Sequence, residues 1–234
     1  VPTVLKRGTT QRVKVIGYGV KTGAAKVEVA TASIVIPKAA TTNFATMVNT
    51  PGGKSTAKIT TGSRSDLTSN GKASQALSIP SAISGLLGKS RSTNYTIQVK
   101  KGEHLQLDLQ SFRFGSPMDV SLRIFNDKKK QVAFNDDAAG STDSSLVYVV
   151  PADGTYTIQV RDESSRLPTL NDVYRLSIRR QSPDFVINAP QIVLAPLGKK
   201  ANLALTVTRL GGFTEPIDFQ IAGLPKWAKI DMAK

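Results

Sequence analysis

Apolar and polar residues alternate along most of this chain, most regularly between residues 95 and 179. Tyr95–Lys100 (YTIQVK) alternates, and Lys101-Gly102 turns the chain into His104–Phe112 (HLQLDLQSF). There Leu105, Leu107 and Leu109 share one face and His104, Gln106, Asp108 and Gln110 the other, the period-two signature of a half-buried strand. Asp119–Asn126, Gln131–Phe134, Leu146–Val150, Thr155–Arg161 and Tyr174–Arg179 continue the habit, so about seven short strands are predicted here. No segment carries a sustained helical period, although Ser81–Leu87 is compatible with one turn. Close-spaced short strands with turn punctuation predict a two-sheet sandwich or jelly roll.

The flanks alternate more loosely. Gln11–Gly17, Lys26–Ala30, Ser33–Pro37 and Thr56–Thr61 read as strands separated by glycine-containing turns, and Gly62 to Gln75 reads as a terminal strand fading into a linker. Past residue 182, Phe185–Ile187, Ile192–Leu194, Ala201–Arg209 and Ile217–Ile221 read as the opening strands of another sandwich. About 50 residues are too few to complete a sandwich of roughly 100. The expected fold class is therefore all-β, with β-sandwich domains in series. Residues 1–78 are read as a basic immunoglobulin-like sandwich and 79–181 as a jelly roll. Residues 182–234 are read as the incomplete start of a second immunoglobulin-like sandwich. With Val1 at its start, the chain reads as a segment of a longer modular polypeptide.

Charge changes this picture. The formal net charge is +14 over 234 residues. Residues 1–80 hold 11 Lys/Arg against 2 Asp/Glu, so the basic excess lies mainly in the first third. Such a field favours an anionic partner, a polysaccharide or protein surface. Nucleic acid is disfavoured, because the lysines are dispersed and no strand interleaves aromatics for base stacking. No apolar run approaches the roughly 20 residues of a membrane-spanning helix. The chain has no cysteine and one histidine, His104, which leaves out thiolate chemistry, disulfides and multi-histidine zinc sites.

Residues Ile83–Ile178 resemble the bacterial pre-peptidase C-terminal domain. The resemblance rests on Ile83-Ser84-Gly85, Lys101-Gly102-Glu103, Phe114-Gly115-Ser116-Pro117-Met118-Asp119 and Asn135-Asp136-Asp137, followed by Asp143-Ser144-Ser145-Leu146, Pro151-Ala152-Asp153-Gly154-Thr155-Tyr156 and Tyr174-Arg175-Leu176. It covers around 100 of the 234 residues. The resemblance implies a jelly-roll β-sandwich found beside secreted peptidases and in large surface proteins, with immunoglobulin-like modules as common neighbours. One departure stands out: where relatives commonly carry Asp-x-Asp-x-Tyr, this chain has Ser92-Thr93-Asn94-Tyr95.

Candidate chemistry concentrates in one acidic loop. Asn135, Asp136, Asp137 and Asp143 place side-chain oxygens within nine residues, and Asp119 opens a neighbouring strand. Ca²⁺ takes six to eight oxygens, so these five are the candidate metal ligands, but their spacing is not that of an EF-hand loop. The competing reading is an Asx-turn loop whose side chains bond backbone N–H groups. The turn is the commoner outcome for such a loop, and calcium binding among relatives of the domain adds weight to the metal reading. His104 and Asp108, four residues apart on a strand, lie about 13 Å apart and cannot pair. With no Gly-x-Ser-x-Gly elbow and no second histidine, a hydrolase triad is not supported, and no catalytic residue is assigned. Lys128-Lys129-Lys130 reads as a solvated turn, and Trp227 as core of the last domain. Tyr156 and Tyr174 read as residues packed at sheet edges with bonded hydroxyls.

The expectation is a non-catalytic binding or spacer segment of a secreted or cell-surface bacterial protein, attaching to matrix, polysaccharide or protein. The alternative is a structural or accessory subunit of a larger extracytoplasmic assembly.

Overall fold

A computed structural model describes residues 1–138, 140–196 and 198–224. Residues 1–181 form one compact unit and the chain from residue 182 a second.

The first unit opens with five strands, β1 (Val4–Lys6), β2 (Thr9–Tyr18), β3 (Val27–Ile36), β4 (Asn43–Thr50) and β5 (Gly53–Gly62). β2 and β3 pair antiparallel, while β1, β5 and β4 make a separate sheet in that order, with β1 parallel to β5. Leu5, Val13, Ile34, Ile36, Val48 and Ile59 fill the space between these sheets. This is a small sandwich of five strands, fewer than the seven of an immunoglobulin constant-type domain. Glu28 holds the β2–β3 loop: its carboxylate accepts from Thr22 Oγ1 at 2.6 Å, Thr22 N at 2.8 Å and Lys21 N at 2.9 Å. Those bonds, the Thr22 hydroxyl first, hold its carboxyl below the usual range against the opposing effect of burial.

Residues 67–76 differ from the linker expected there. β6 (Leu67–Thr68) and β7 (Ser74–Ala76) run parallel to β8 (Ser81–Leu86) and β9 (Ser92–Val99) and cap one edge of each central sheet. Edge coverage of this kind satisfies backbone groups that would otherwise be exposed. The remaining strands are β10 (His104–Gln110), β11 (Val120–Phe125), β12 (Gln131–Asn135), β13 (Ser144–Val149), β14 (Gly154–Asp162) and β15 (Val173–Arg180). They complete two five-stranded sheets, ordered β13-β10-β15-β8-β6 and β12-β11-β14-β9-β7.

The alternation read from the sequence carries this sandwich. Leu105, Leu107 and Leu109 of β10 are fully buried, as are Val120, Leu122 and Ile124 of β11 and Ile158 and Val160 of β14. Each such side chain contributes about 1.5–3 kcal/mol relative to exposure. Ser81–Leu86 forms a strand, not a helical turn, because it pairs in register with β15. Gly85 permits that pairing: a Cβ there would collide with the Tyr174 hydroxyl. Tyr174 and Tyr156 also depart from their expected edge positions. They are buried on inner strands, where the Tyr174 hydroxyl bonds that of Tyr95 and Tyr156 Oη donates to Ala152 O at 3.2 Å.

In the second unit β16 (Asp184–Asn188) pairs antiparallel with β17 (Thr206–Leu210). Phe185 packs on Phe213 at 5.1 Å between ring centroids, and the Arg209 guanidinium lies over Phe213. The strands expected at 192–194 and 217–221 are not formed, and Trp227 lies outside the described residues.

Candidate functional site

The acidic loop joins β12 to β13, and the structure divides its five candidate ligands into two groups. Asp143 is fully buried and faces away from solvent. Directly after β10 the chain makes a single tight turn, Phe112–Phe114, whose leading N–H groups need acceptors. Asp143 provides them. Its Oδ1 accepts from Ser111 N at 2.6 Å and Phe112 N at 2.8 Å, and Oδ2 from Arg113 Nε at 2.6 Å and Arg113 N at 3.4 Å. Arg113 continues to Asp108 at 2.8 Å, so the three side chains form one buried-to-exposed relay of charge. Asn135 is engaged too: Oδ1 accepts from Ser145 N and Nδ2 donates to Asp137 O, both at 3.0 Å. The backbone of the loop is pinned by Ser144 Oγ, which donates to Val120 O at 2.6 Å.

Asp119, Asp136 and Asp137 form the second group, all exposed. Burial of part of the Asp119 carboxyl, then the charges of Asp137 and Asp136, then those of Asp162 and Glu163, raise its affinity for protons. The five residues therefore do not make one ligand set: two spend their oxygens on backbone N–H groups, and three carboxylates remain close enough to repel. Among the described residues no group of three His, Cys, Asp or Glu is placed to hold a metal ion. At Ser92–Asn94, Asn94 Nδ2 donates to Ala73 O and its Oδ1 accepts from Gln159, so this segment is built into the sheet.

The raised Asp119 carboxyl sets a sign. A carboxyl whose folded-state pKa lies above its unfolded value of about 3.9 opposes folding once ionised. Stability from this group is greatest below that value and falls as pH rises through the raised one. Asp119→Asn is expected to raise the melting temperature at neutral pH, with the gain vanishing below about pH 4, as a pair of thermal melts would read. A lower melting temperature at neutral pH would mean that the carboxylate has an attractive partner.

Other buried carboxylates also serve the fold. Asp162 accepts from Asp119 N, Ser164 N and Ser164 Oγ, with Arg91 and Arg166 at 3.5 and 3.6 Å. Asp172 binds Arg166 at 2.7 Å and the Thr169 backbone and hydroxyl. Glu163, which is exposed, also accepts from Ser121 Oγ and Arg123. Sequence reasoning missed these roles, and it missed Asp66. Asp66 accepts from Thr3 Oγ1, Val4 N, Ser84 Oγ and Arg175 Nε, joining the first sandwich to the central one. The signal available was scarcity: Glu28 and Asp66 are the only acids among residues 1–80, and each proves buried.

His104 and Asp108 stay apart on β10, with Asp108 committed to Arg113 and Gln110. A shallow cleft beside the start of β10 is lined by Lys100, Glu103, Asp153 and Arg180. In it Glu103 pairs with Arg180 at 2.9 Å and Asp153 accepts from Lys101 N. Lys128, Lys129 and Lys130 sit on the exposed β11–β12 turn, which Asn126 organises by accepting from the N–H groups of Lys128 and Lys130. No helix among the described residues is long and apolar enough to cross a membrane.

Residues 91–162 match the bacterial pre-peptidase C-terminal domain family. Over 77 residues the chain is 34% identical to a probable subtilase-type serine protease of Deinococcus radiodurans, a match spanning 32% of this chain and 10% of that protein. The fold also resembles the crystal structure of the pre-peptidase C-terminal domain of a Bacillus anthracis collagenase. That likeness has 14% identity and a TM-score of 0.38, over 47% of this chain and 99% of that one. A periplasmic inhibitor of g-type lysozyme from Aeromonas hydrophila aligns over 46% of this chain and 100% of its own, at 17% identity and a TM-score of 0.30.

Proposed function

We propose that this stretch of chain, whose residues 91–162 match the bacterial pre-peptidase C-terminal domain family, is a non-catalytic binding and spacing segment of a modular secreted or cell-surface bacterial protein. Its ligand in this reading is a matrix, polysaccharide or protein surface. The observation that supports it is the use made of the buried carboxylates. Asp66, Asp143, Asp162 and Asp172 are all held by backbone N–H groups or arginines, so the acidic residues of the interior brace loops and are not poised for proton transfer. A rigid double sheet with braced loops is suited to presenting faces. The partial match to a probable subtilase-type serine protease, together with the match to the pre-peptidase C-terminal domain family, supports a place outside the cytoplasm, beside a catalytic domain carried elsewhere in the same polypeptide.

The test is retention of the purified segment on insoluble polysaccharides and on matrix protein, with its oligomeric state measured in parallel. A monomer retained on such a matrix supports the proposal. A chain that no matrix retains, and that is stable only beside a partner, makes it an accessory subunit instead.

Within the same proposal, a bracing Ca²⁺ would have to draw Asp119, Asp136 and Asp137 together on binding, since Asp143 and Asn135 are engaged and no three acidic groups among the described residues are already placed to hold an ion. Three carboxylates are too few for six to eight ligands, so backbone carbonyls and water complete the shell. Melting temperature should then rise with Ca²⁺ concentration and stop responding in Asp119→Asn. An unchanged melt with EDTA and with added Ca²⁺ removes calcium from the account.

A further inference from the structure

The first sandwich presents positive charge that its own acids scarcely neutralise: among its described lysines and arginines only Lys26 has a carboxylate within 4 Å, Glu28 at 3.9 Å. Residues 1–80 hold 11 Lys/Arg and only two acids, and those two are withdrawn: Glu28 is 6% exposed and Asp66 7%. The consequence is clearest on the outer face of the β1-β5-β4 sheet. Alternation sends Leu5, Val48, Ile59 and Thr61 inward, leaving Lys6, Lys54, Thr56 and Lys58 exposed outside, beside Asn43, Ala45, Met47 and Asn49 of β4. Lys54 and Lys58 lie four residues apart on β5, and Lys6 stands opposite Gly62, four residues further on. Strand rise sets these steps at about 13 Å each, so the three lysines span roughly 26 Å of the sheet face, with Lys6 one strand over from the other two. Gly62 adds no side chain beside Lys6. None of these lysines takes part in an ion pair among the described residues.

We propose that this face binds a linear acidic polysaccharide, with Lys6, Lys54 and Lys58 contacting successive carboxylates or sulfates. The proposal rests on the binding-segment reading above and gives that segment a face and a ligand class. Three features select the ligand. The cations are spaced ammonium point charges, which suit anionic groups spaced along an extended chain better than a bidentate phosphate contact. Between them lie hydroxyl and amide side chains, Thr56, Thr60, Asn43 and Asn49, of the kind that bond sugar hydroxyls. The face has no aromatic ring, and single-stranded nucleic acid depends on such rings for stacking. The field of an uncompensated basic surface also steers a polyanion to it.

The experiment compares the whole segment, a Lys6→Gln/Lys54→Gln/Lys58→Gln variant and a Lys128→Gln/Lys129→Gln/Lys130→Gln variant of equal charge loss. Each is titrated with polygalacturonate, with heparin and with duplex and single-stranded DNA at several salt concentrations. All six lysines are exposed, and circular dichroism verifies that the variants fold. The sheet-face variant is expected to lose on the order of tenfold in polysaccharide affinity at low salt, with a weaker salt dependence, while the turn variant stays close to wild type. Equal losses in both variants, or DNA bound more tightly than polysaccharide, overturn the proposal. Wild-type retention by the sheet-face variant also overturns it but leaves the binding-segment reading standing. If neither wild type nor variants are retained on any matrix, both fall.

Discussion

Replacing Asp143 with Ala is expected to destabilise the 1–181 unit by about 3–5 kcal/mol, a fall of roughly 6–20 °C in melting temperature. The carboxylate alone supplies the contacts that are lost. The Ser111 and Phe112 N–H groups lose their shared acceptor, and Arg113 loses the bond that holds it over the turn. Each donor left unmet in a buried site costs about 1–3 kcal/mol, and the partly exposed guanidinium, which can turn to water, adds less. Asp143→Asn separates the contributions. It keeps the acceptor for the two backbone groups but removes the charge-assisted bond to Arg113, so its loss should be clearly smaller. Thermal and denaturant melts of the two variants, run with EDTA and with Ca²⁺, read the result. A loss below about 1 kcal/mol in the alanine variant would mean that water replaces the carboxylate and that the turn does not depend on it. A cost that appeared only with Ca²⁺ present would return Asp143 to the metal reading.

Asp143 also shows where the sequence ceased to be legible. The loop reads as a hard-cation site because four oxygen-bearing residues lie within nine positions of the chain and Asp119 opens a neighbouring strand. Its real acceptor demand came from Ser111–Arg113, some thirty residues away, and nothing local announces a turn with unmet N–H groups after β10. Asn135 was legible only in part: its Oδ1 accepts a backbone N–H, as the competing reading foresaw, but from Ser145 ten residues on instead of within an Asx turn, while its Nδ2 donates to Asp137 O. The fold was easier to read than the site because alternation is a local property. Leu105, Leu107 and Leu109 declare a buried face without knowledge of any partner strand. Where the local pattern was weak the reading failed. Ser81–Leu86 has a single large buried residue, Ile83, and becomes a strand through its pairing with β15, with Gly85 leaving room for the Tyr174 ring beside it. β6 and β7 are too short to alternate at all, and parallel pairing across a long sequence separation defines them.

Asp66 carries the second large expectation, and it concerns cooperativity as well as stability. This one carboxylate receives Thr3 Oγ1 at 2.9 Å and Val4 N at 3.2 Å from the first sandwich, and Ser84 Oγ at 2.7 Å and Arg175 Nε at 2.9 Å from the central one. Thr3 N also donates to Ser84 Oγ, which closes the network across the junction. Asp66→Ala leaves Arg175, 18% exposed, without its carboxylate and strands the β1 N–H, a combined cost of about 3–5 kcal/mol. The wild-type unit is expected to melt in one calorimetric transition, since its two sandwiches share this buried network. The variant is expected to melt in two, the first sandwich opening at lower temperature, because separate cores no longer coupled unfold separately. A cycle with Arg175→Met isolates the pair, which should show a coupling of about 1–3 kcal/mol if the bond acts as described. One unshifted transition together with a coupling near zero would show that the junction is held by backbone pairing alone. The same comparison bears on binding. The lysine face lies on the first sandwich, so a variant that uncouples it should keep its polysaccharide affinity below the temperature of its first transition and lose it above.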